Sequence, residues 1–176
     1  MNRFIIDHHP EAIAKSLCDQ HICKMVLEEA QMLNTAVRIQ APEFAEEAGL
    51  YKIAYKNHPC TIWARENSMN YMFGVRLMKA MNDEYMWRYP ERKENGKWVV
   101  NKGHTSMRHF DALVEAVKYM PNIHNFMTPH PQCFSGHDHC KTDEHWPVIA
   151  YRRFYKVDKS AFARYNRGRE MPQWMS

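Results

Sequence analysis

Between Leu17 and Thr35 the chain reads LCDQHICKMVLEEAQMLNT, in which His21, Lys24, Glu28, Gln31 and Thr35 recur at spacings of three and four. At about 100° per residue these positions form one narrow polar stripe on a helix. Ile22, Cys23, Met25, Val26, Leu27, Ala30, Met32, Leu33 and Val37 cover most of the remaining surface, with Glu29 the main exception. A helix apolar on nearly every side is normally buried, so its polar stripe must face internal partners or a cleft. Pro10 and Glu11 suit a helix N-terminus, and the pattern predicts a helix from there to about Gln40, where Pro42 interrupts it.

The same reading places the other elements. Arg3 to Ile6 is a short extended segment, and Asp7 to Pro10 a turn and cap. A shorter helical piece is expected over Glu43 to Tyr55. Asn57-His58-Pro59 resembles a second helix start, with the pattern continuing to Tyr89. Within it Trp63, Asn67, Asn70, Tyr71, Gly74, Leu77, Met78 and Met81 recur at helical spacing, a stripe that reads mostly as packing. Residues 90–107 break the pattern, and Asn95-Gly96 signals a tight turn, so a small hairpin near 91–100 is possible. A third helix is expected from about Met107 to Met120, a loop from Pro121 to His139, and a last helix over Glu144 to Asn166. The fold class is therefore mainly helical: an all-α bundle in one domain, 1–176, around a buried central helix.

Composition sharpens this only modestly. The 176 residues suffice for a real core. With 45% hydrophobic and 25% charged residues and six glycines, they read as soluble, globular and helical. No apolar run of about 18 residues exists, and MNRFIIDHHP lacks a signal-peptide pattern, so no membrane partner and an intracellular, cytoplasmic location are expected. A net charge of +4 is compatible with a polyanionic partner without establishing one. Five cysteines with no paired spacing do not suggest a disulfide framework.

Three stretches carry candidate chemistry. The polar stripe brings His21, Lys24, Glu28 and Gln31 together, although an ordinary Lys24–Glu28 surface pair beside a satisfied core histidine is the plain alternative. The C-terminal YRRFYKVDKSAFARYNRGR interleaves Arg152, Arg153, Lys156, Lys159 and Arg164 with aromatics, a pattern suited to phosphate contacts or merely to a basic amphipathic helix. The loop HPQCFSGHDHCKTDEH offers Cys133, His137, His139 and Cys140, weak zinc candidates because they lack a CxxC knuckle. Phosphate-loop, dinucleotide and serine-hydrolase motifs are absent.

MNRF followed by LCDQHICKMVLEE resembles the phage-type pyrimidine-dimer DNA glycosylases of the endonuclease V class, which carry an Asp-Gln-His motif with a glutamate seven residues after the histidine. That spacing gives His21 and Glu28 here. The chain as a whole, including NHPCTIWARENSMNY, KGH and AYRRFYKVDK, is similar to small phage-encoded proteins, which would place it in a host cell's cytoplasm. The resemblance implies an all-α fold, duplex DNA as partner, and no metal or organic cofactor. It further implies an N-terminal amine that attacks the sugar carbon to form an imine, with Glu28 stabilising the sugar cation and assisting strand cleavage. His21 would contact DNA or orient the site, and Arg3 would contact phosphate. The departure is at the nucleophile: the family exposes a small second residue, whereas Asn2 suits removal of Met1 less well. Either Met1 keeps the free amine, or Lys24 supplies it, or Glu28 activates water in a simple glycosylase.

The expected function is base excision from DNA with damaged or modified pyrimidines, by an N-glycosylase with abasic lyase activity. Glu28, Lys24 and His21 would be catalytic, and Arg3, Gln31, His58, Arg65, Asn70, Tyr71, Lys102 and His104 would contact substrate. Trp63, Tyr71 or Trp98 would fill the space left by an extruded nucleotide. Two other readings compete: group transfer to a modified pyrimidine, and a non-enzymatic DNA-binding accessory role.

Overall fold

A computed structural model describes residues 2–123 and 125–176. The described residues form α1 (Pro10–Ser16), α2 (Asp19–Gln40), α3 (Pro42–Glu47), α4 (Pro59–Glu66), α5 (Ser68–Arg88), β1 (Glu91–Glu94), β2 (Lys97–Val100), α6 (Phe110–Glu115) and α7 (Val148–Lys159). The fold is mainly helical, as the periodicity predicts. Fourteen of the 22 residues of α2 are buried, which makes it the central helix. It packs on α5, α4 and α3, while α1 packs on α5. Ile22, Val26, Ala30, Leu33 and Val37 are all fully buried there, and burying each larger aliphatic side chain stabilises the fold by about 1.5–3 kcal/mol.

Three predicted helices are broken or shortened, the first where distant side chains satisfy the freed backbone groups and the second at a local cap. The helix expected from Pro10 to Gln40 is interrupted at Leu17 and Cys18, which are extended. Arg88 donates to the Lys15 and Leu17 carbonyls at 2.9 and 2.8 Å, Tyr165 donates to Ser16, and the Cys18 amide donates to the Tyr155 hydroxyl. The helix expected from Pro59 to Tyr89 is cut at Asn67, whose side chain accepts from the Asn70 amide at 2.9 Å and starts α5. The last helix stops at Lys159, well before the expected Asn166. Beyond it the chain lies over the start of α2, where the Arg164 carbonyl accepts from the Asp19 amide at 2.8 Å. Pro147 also delays that helix to Val148, because the residue before a proline is pushed out of helical geometry.

Two other expectations are corrected in length. The helical piece after Pro42 ends at Glu47, and the third helix is a single α turn and a half flanked by tighter turns at Thr105–His109 and Ala116–Tyr119. The hairpin forms as Asn95-Gly96 suggests: both turn residues have positive φ, 49° and 81°, as a two-residue turn between twisted strands requires. Glu91 pairs with Val100 and Glu94 with Lys97.

A buried ionic cluster ties the ends together. Arg88 pairs with Glu84 at 2.7 Å and Asp19 at 3.0 Å, and Arg169 adds two contacts to Glu84 at 2.8 Å. These guanidiniums hold the Glu84 carboxyl below its usual range against the opposing effect of burial. No helix among the described residues is long and apolar enough to cross a membrane.

Candidate active site

Asn2 and Phe4 lie along α2, which sets the floor of a cleft of about 510 Å³. Asn2, Phe4, His21, Lys24 and Glu28 form this floor. His58 stands on one side, residues 131–135 on another, and Phe154 and Lys159 of α7 close the third. The volume is within the range of small-molecule and nucleotide pockets.

Glu28 is the focus of the cleft. It is only 8% exposed, and its two oxygens face two nitrogens: Oε2 accepts from the Asn2 backbone nitrogen at 3.0 Å, and Oε1 pairs with Lys24 Nζ at 3.0 Å. The Lys24 side chain is 66% exposed, so this ion pair joins a sheltered carboxylate to an open cation. A carboxylate at the floor of a cleft with nitrogens on both sides can stabilise developing positive charge or accept a proton.

His21 is held as a neutral ring. Its Nδ1 lies 2.7 Å from the Tyr155 hydroxyl, and that hydroxyl already accepts from the Cys18 amide at 3.0 Å. The Nδ1–hydroxyl contact has the phenol as donor when the imidazole proton sits on Nε2 and as acceptor when it sits on Nδ1. The ring stacks on Phe4 with centroids 4.8 Å apart. Burial, reinforced by the cations Lys159 and Lys24, pushes its pKa down to about 4. Burial also raises the Tyr155 phenol far above its ordinary value, so it keeps its proton.

The neighbouring Glu29 faces the other way. Arg3 Nε donates to Glu29 Oε2 at 2.9 Å, Arg3 Nη2 pairs with Oε1, and both side chains are sealed. Trp63 lies under the guanidinium at 5.0 Å. Gly74 makes room for the pair: a Cβ there would come within 2.6 Å of Glu29 Oε1 and 3.0 Å of Arg3 Nη2.

Residues 1–95, just over half of the chain, match the family model described as pyrimidine dimer DNA glycosylase. The chain belongs to the pyrimidine dimer DNA glycosylase family. No curated protein and no solved structure matches it. The matched part contains α1 to α5, and with them Asn2, His21, Lys24, Glu28 and His58 of the cleft. Membership brings a DNA glycosylase-like function with DNA as the substrate. The walls from 131–135 and α7 lie outside the matched part of the chain.

Of the residues singled out from sequence, the structure gathers His21, Lys24, Glu28, His58 and Lys159 around one cleft. Met1, one candidate for the free amine, lies outside the described residues. Arg3 is 1% exposed and committed to Glu29, so a direct phosphate contact by its guanidinium does not fit this arrangement. Asn70 and Tyr71 are fully buried: Asn70 binds the Trp63 carbonyl and Thr128, and the Tyr71 hydroxyl donates to the Leu113 carbonyl. Trp63 is also a core residue, with its indole N–H on the Thr128 carbonyl, so neither it nor Tyr71 can enter a DNA stack from a free surface. The break at Asn67, which the continuous-helix pattern hid, puts Trp63 on α4 and Asn70 and Tyr71 on α5. Trp98 is 65% exposed on the hairpin.

The remaining predicted contacts are scattered. Gln31 is half-buried on α2 beyond the cleft lining, and Arg65 donates to the Lys56 carbonyl at 2.6 Å. Lys102 is exposed, and His104 accepts from the Ser106 amide at the start of the 105–109 turn. On α7, Arg152 is anchored to the Ile6 carbonyl and Asp7, with Trp174 beside it, whereas Arg153 is exposed. Lys156 reaches the Ser176 carbonyl, and Arg164 is exposed past the end of α7.

Several cleft residues escaped the sequence reading. Phe4 looked like part of an ordinary extended segment, yet it supplies the ring under His21, and Asn2, considered only as the residue behind Met1, puts its backbone nitrogen on Glu28. Asp158 lines the cleft beside Lys159, with which it pairs, and also meets His137 at 3.1 Å. Cys133 does not gather with His137, His139 and Cys140. It meets Cys60 instead, Sγ to Sγ 3.7 Å, and only the clustered Asn57–Cys60 motif hinted that this end of α4 was chemically marked.

Proposed function

We propose that this protein excises damaged or modified pyrimidines from duplex DNA as an N-glycosylase with abasic-site lyase activity, using an amine beside Glu28. The observation that carries this reading is the pair of contacts on Glu28, with the Asn2 backbone nitrogen and Lys24 Nζ each at 3.0 Å. The amine attacks C1′ of the sugar, the N–C1′ bond forms, and the glycosidic bond breaks with its electron pair leaving on the base. The amine gives up a proton, the C1′–O4′ bond then opens with O4′ taking up a proton, and the nitrogen lone pair closes the C1′=N bond of the imine. Glu28 stabilises the positive sugar and then takes the proton removed from C2′ as the 3′ phosphate departs.

The leading amine is the better nucleophile of the two. An unperturbed α-amine titrates near 8 and an ordinary lysine amine near 10.4, so the former supplies far more neutral amine around neutrality. Removal of residue 1 would turn the Asn2 nitrogen into a primary amine already beside Glu28. Lys24 then serves as the open cation that meets a phosphate, with Lys159 across the cleft. The target nucleotide must leave the stack to reach such a site.

Borohydride trapping on a duplex containing a pyrimidine dimer or an abasic site tests the proposal. A covalent adduct whose peptide map ends on residue 1 or 2 supports it, and an adduct on Lys24 reassigns the nucleophile. Unchanged DNA with no adduct would sink the lyase reading. A base that gains mass while staying attached would favour group transfer.

A further inference from the structure

We propose that His58, Cys60 and Cys133 form a binding site for a soft divalent cation of the zinc class at the edge of the cleft. The ligand atoms of the three residues all lie within 4.8 Å of one another. The two sulfurs are 3.7 Å apart, and a tetrahedral ion with Zn–S bonds of about 2.3 Å needs sulfurs about 3.8 Å apart. Thiolate and imidazole are the donor set that zinc prefers over the oxygen-seeking ions.

The donors come from segments whose backbone is already fixed. His58 and Cys60 sit at the N-terminal turn of α4 around Pro59, and Cys133 follows Pro129 and Pro131 in the opposite wall. His58 Nδ1 accepts from the Cys60 amide at 3.2 Å, a long contact. Whichever ring nitrogen serves the ion, that contact ends. Metal on Nδ1 takes the lone pair, and metal on Nε2 moves the ring proton to Nδ1.

The fourth position is held by Asn2 or by solvent. Asn2 Oδ1 is 3.9 Å from Cys60 Sγ, and its side-chain amide donates to the Cys133 carbonyl at 3.0 Å. His58 and Cys133 both line the cleft, which brings solvent to the other side. Cation binding thus clamps α4 to the 131–135 wall directly against residue 2, whose backbone nitrogen rests on Glu28. The site stands on this donor geometry alone, and metal uptake is read independently of any action on DNA.

The experiment uses the full chain, reduced, stripped with a chelator and titrated with cobalt(II) and with zinc(II). Uptake of one ion per chain, a thiolate-to-cobalt charge-transfer band and a zinc-dependent rise in melting temperature are expected. Cys133→Ser should abolish the band, and His58→Ala should weaken binding by at least about tenfold, the scale on which even a ligand's supporting partners act. Both positions are half-buried, so these variants are checked for wild-type circular dichroism, and the fully buried Cys60 is not needed for the decision. No stoichiometric uptake, or uptake unchanged in both variants, overturns the proposal. Formation of a Cys60–Cys133 disulfide that reduction does not convert into a metal-binding form overturns it as well.

Discussion

Glu28 and Glu29 are adjacent on one helix, yet their carboxylates live in different surroundings. Glu29 is sealed against Arg3 in a dry, bidentate pair that Gly74 leaves just enough room for. Glu28 faces a cleft, held by a backbone nitrogen on one oxygen and a largely exposed lysine on the other. A step of about 100° around α2 turns a structural ion pair into a chemically available group. The same contrast recurs on α7, where Arg152 is anchored to the Ile6 carbonyl and Asp7 while Arg153 is exposed. Charge alone does not mark a functional residue here; what matters is whether its partners leave one side open.

The comparison can be broken most severely at Glu28. Glu28→Gln should slow base release by about 10²–10⁴-fold in single-turnover assays on dimer-containing duplex, the range for loss of a positioned acid–base group. Its unfolding midpoint should stay close to wild type. Glu29→Gln should do the reverse: it leaves Arg3 buried without its counter-charge and costs about 3–5 kcal/mol in urea unfolding. If the two variants lose activity and stability in the same proportion, the division between the faces of α2 is wrong.

His21 supplies a pH test on the open side. Its folded pKa is depressed to about 4, against an ordinary value near 6.5, so the unfolded chain binds more protons between those limits. The associated stability is fully present above about pH 6.5 and is lost as pH falls toward 4, by on the order of 3 kcal/mol. Urea midpoints measured at both ends should show that loss in wild type and a smaller one in His21→Phe. The pH–rate profile should likewise carry no limb near 6.5 from this ring.

A milder perturbation tests the sealed side. Gly74→Ala forces Glu29, Leu33 or Arg3 to move and should cost about 1–3 kcal/mol by thermal or urea unfolding. The smallest effect is expected at Arg153. Arg153→Ala should lower the slope of log binding constant against log salt by about one if that side chain meets a phosphate, with no change in melting temperature. A slope equal to wild type would remove α7's open arginine from the DNA surface.

Much of this arrangement is legible in the pattern of residues, and the misses share one cause. The spacing of His21, Lys24 and Glu28 correctly put three groups on one face of a helix, and that face does line a cleft. The expected stripe fails beyond them because Gln31 lies past the lining and Thr35 is buried on the Ala54 backbone. Asn70 and Tyr71 were expected at the site on a helix running unbroken from Pro59, but a new helix starts at the Asn67 cap and both side chains are buried in the packing stripe. The zinc expectation placed Cys133 with its neighbours in sequence, whereas Cys60, 73 positions away, is the cysteine it meets.

Periodicity, turn chemistry and the Asp-Gln-His stretch by themselves determined a mainly helical protein, a central buried helix, the Asn95-Gly96 hairpin and the face carrying Glu28. Those properties depend on residues within a few turns of one another. Only the tertiary structure decided that Glu29 is locked to Arg3, that the Asn2 nitrogen lies on Glu28, and that the cleft is closed by α7 and the 131–135 segment. Each of these depends on which distant group satisfies a buried charge or a freed carbonyl, and local spacing carries no information about such partners.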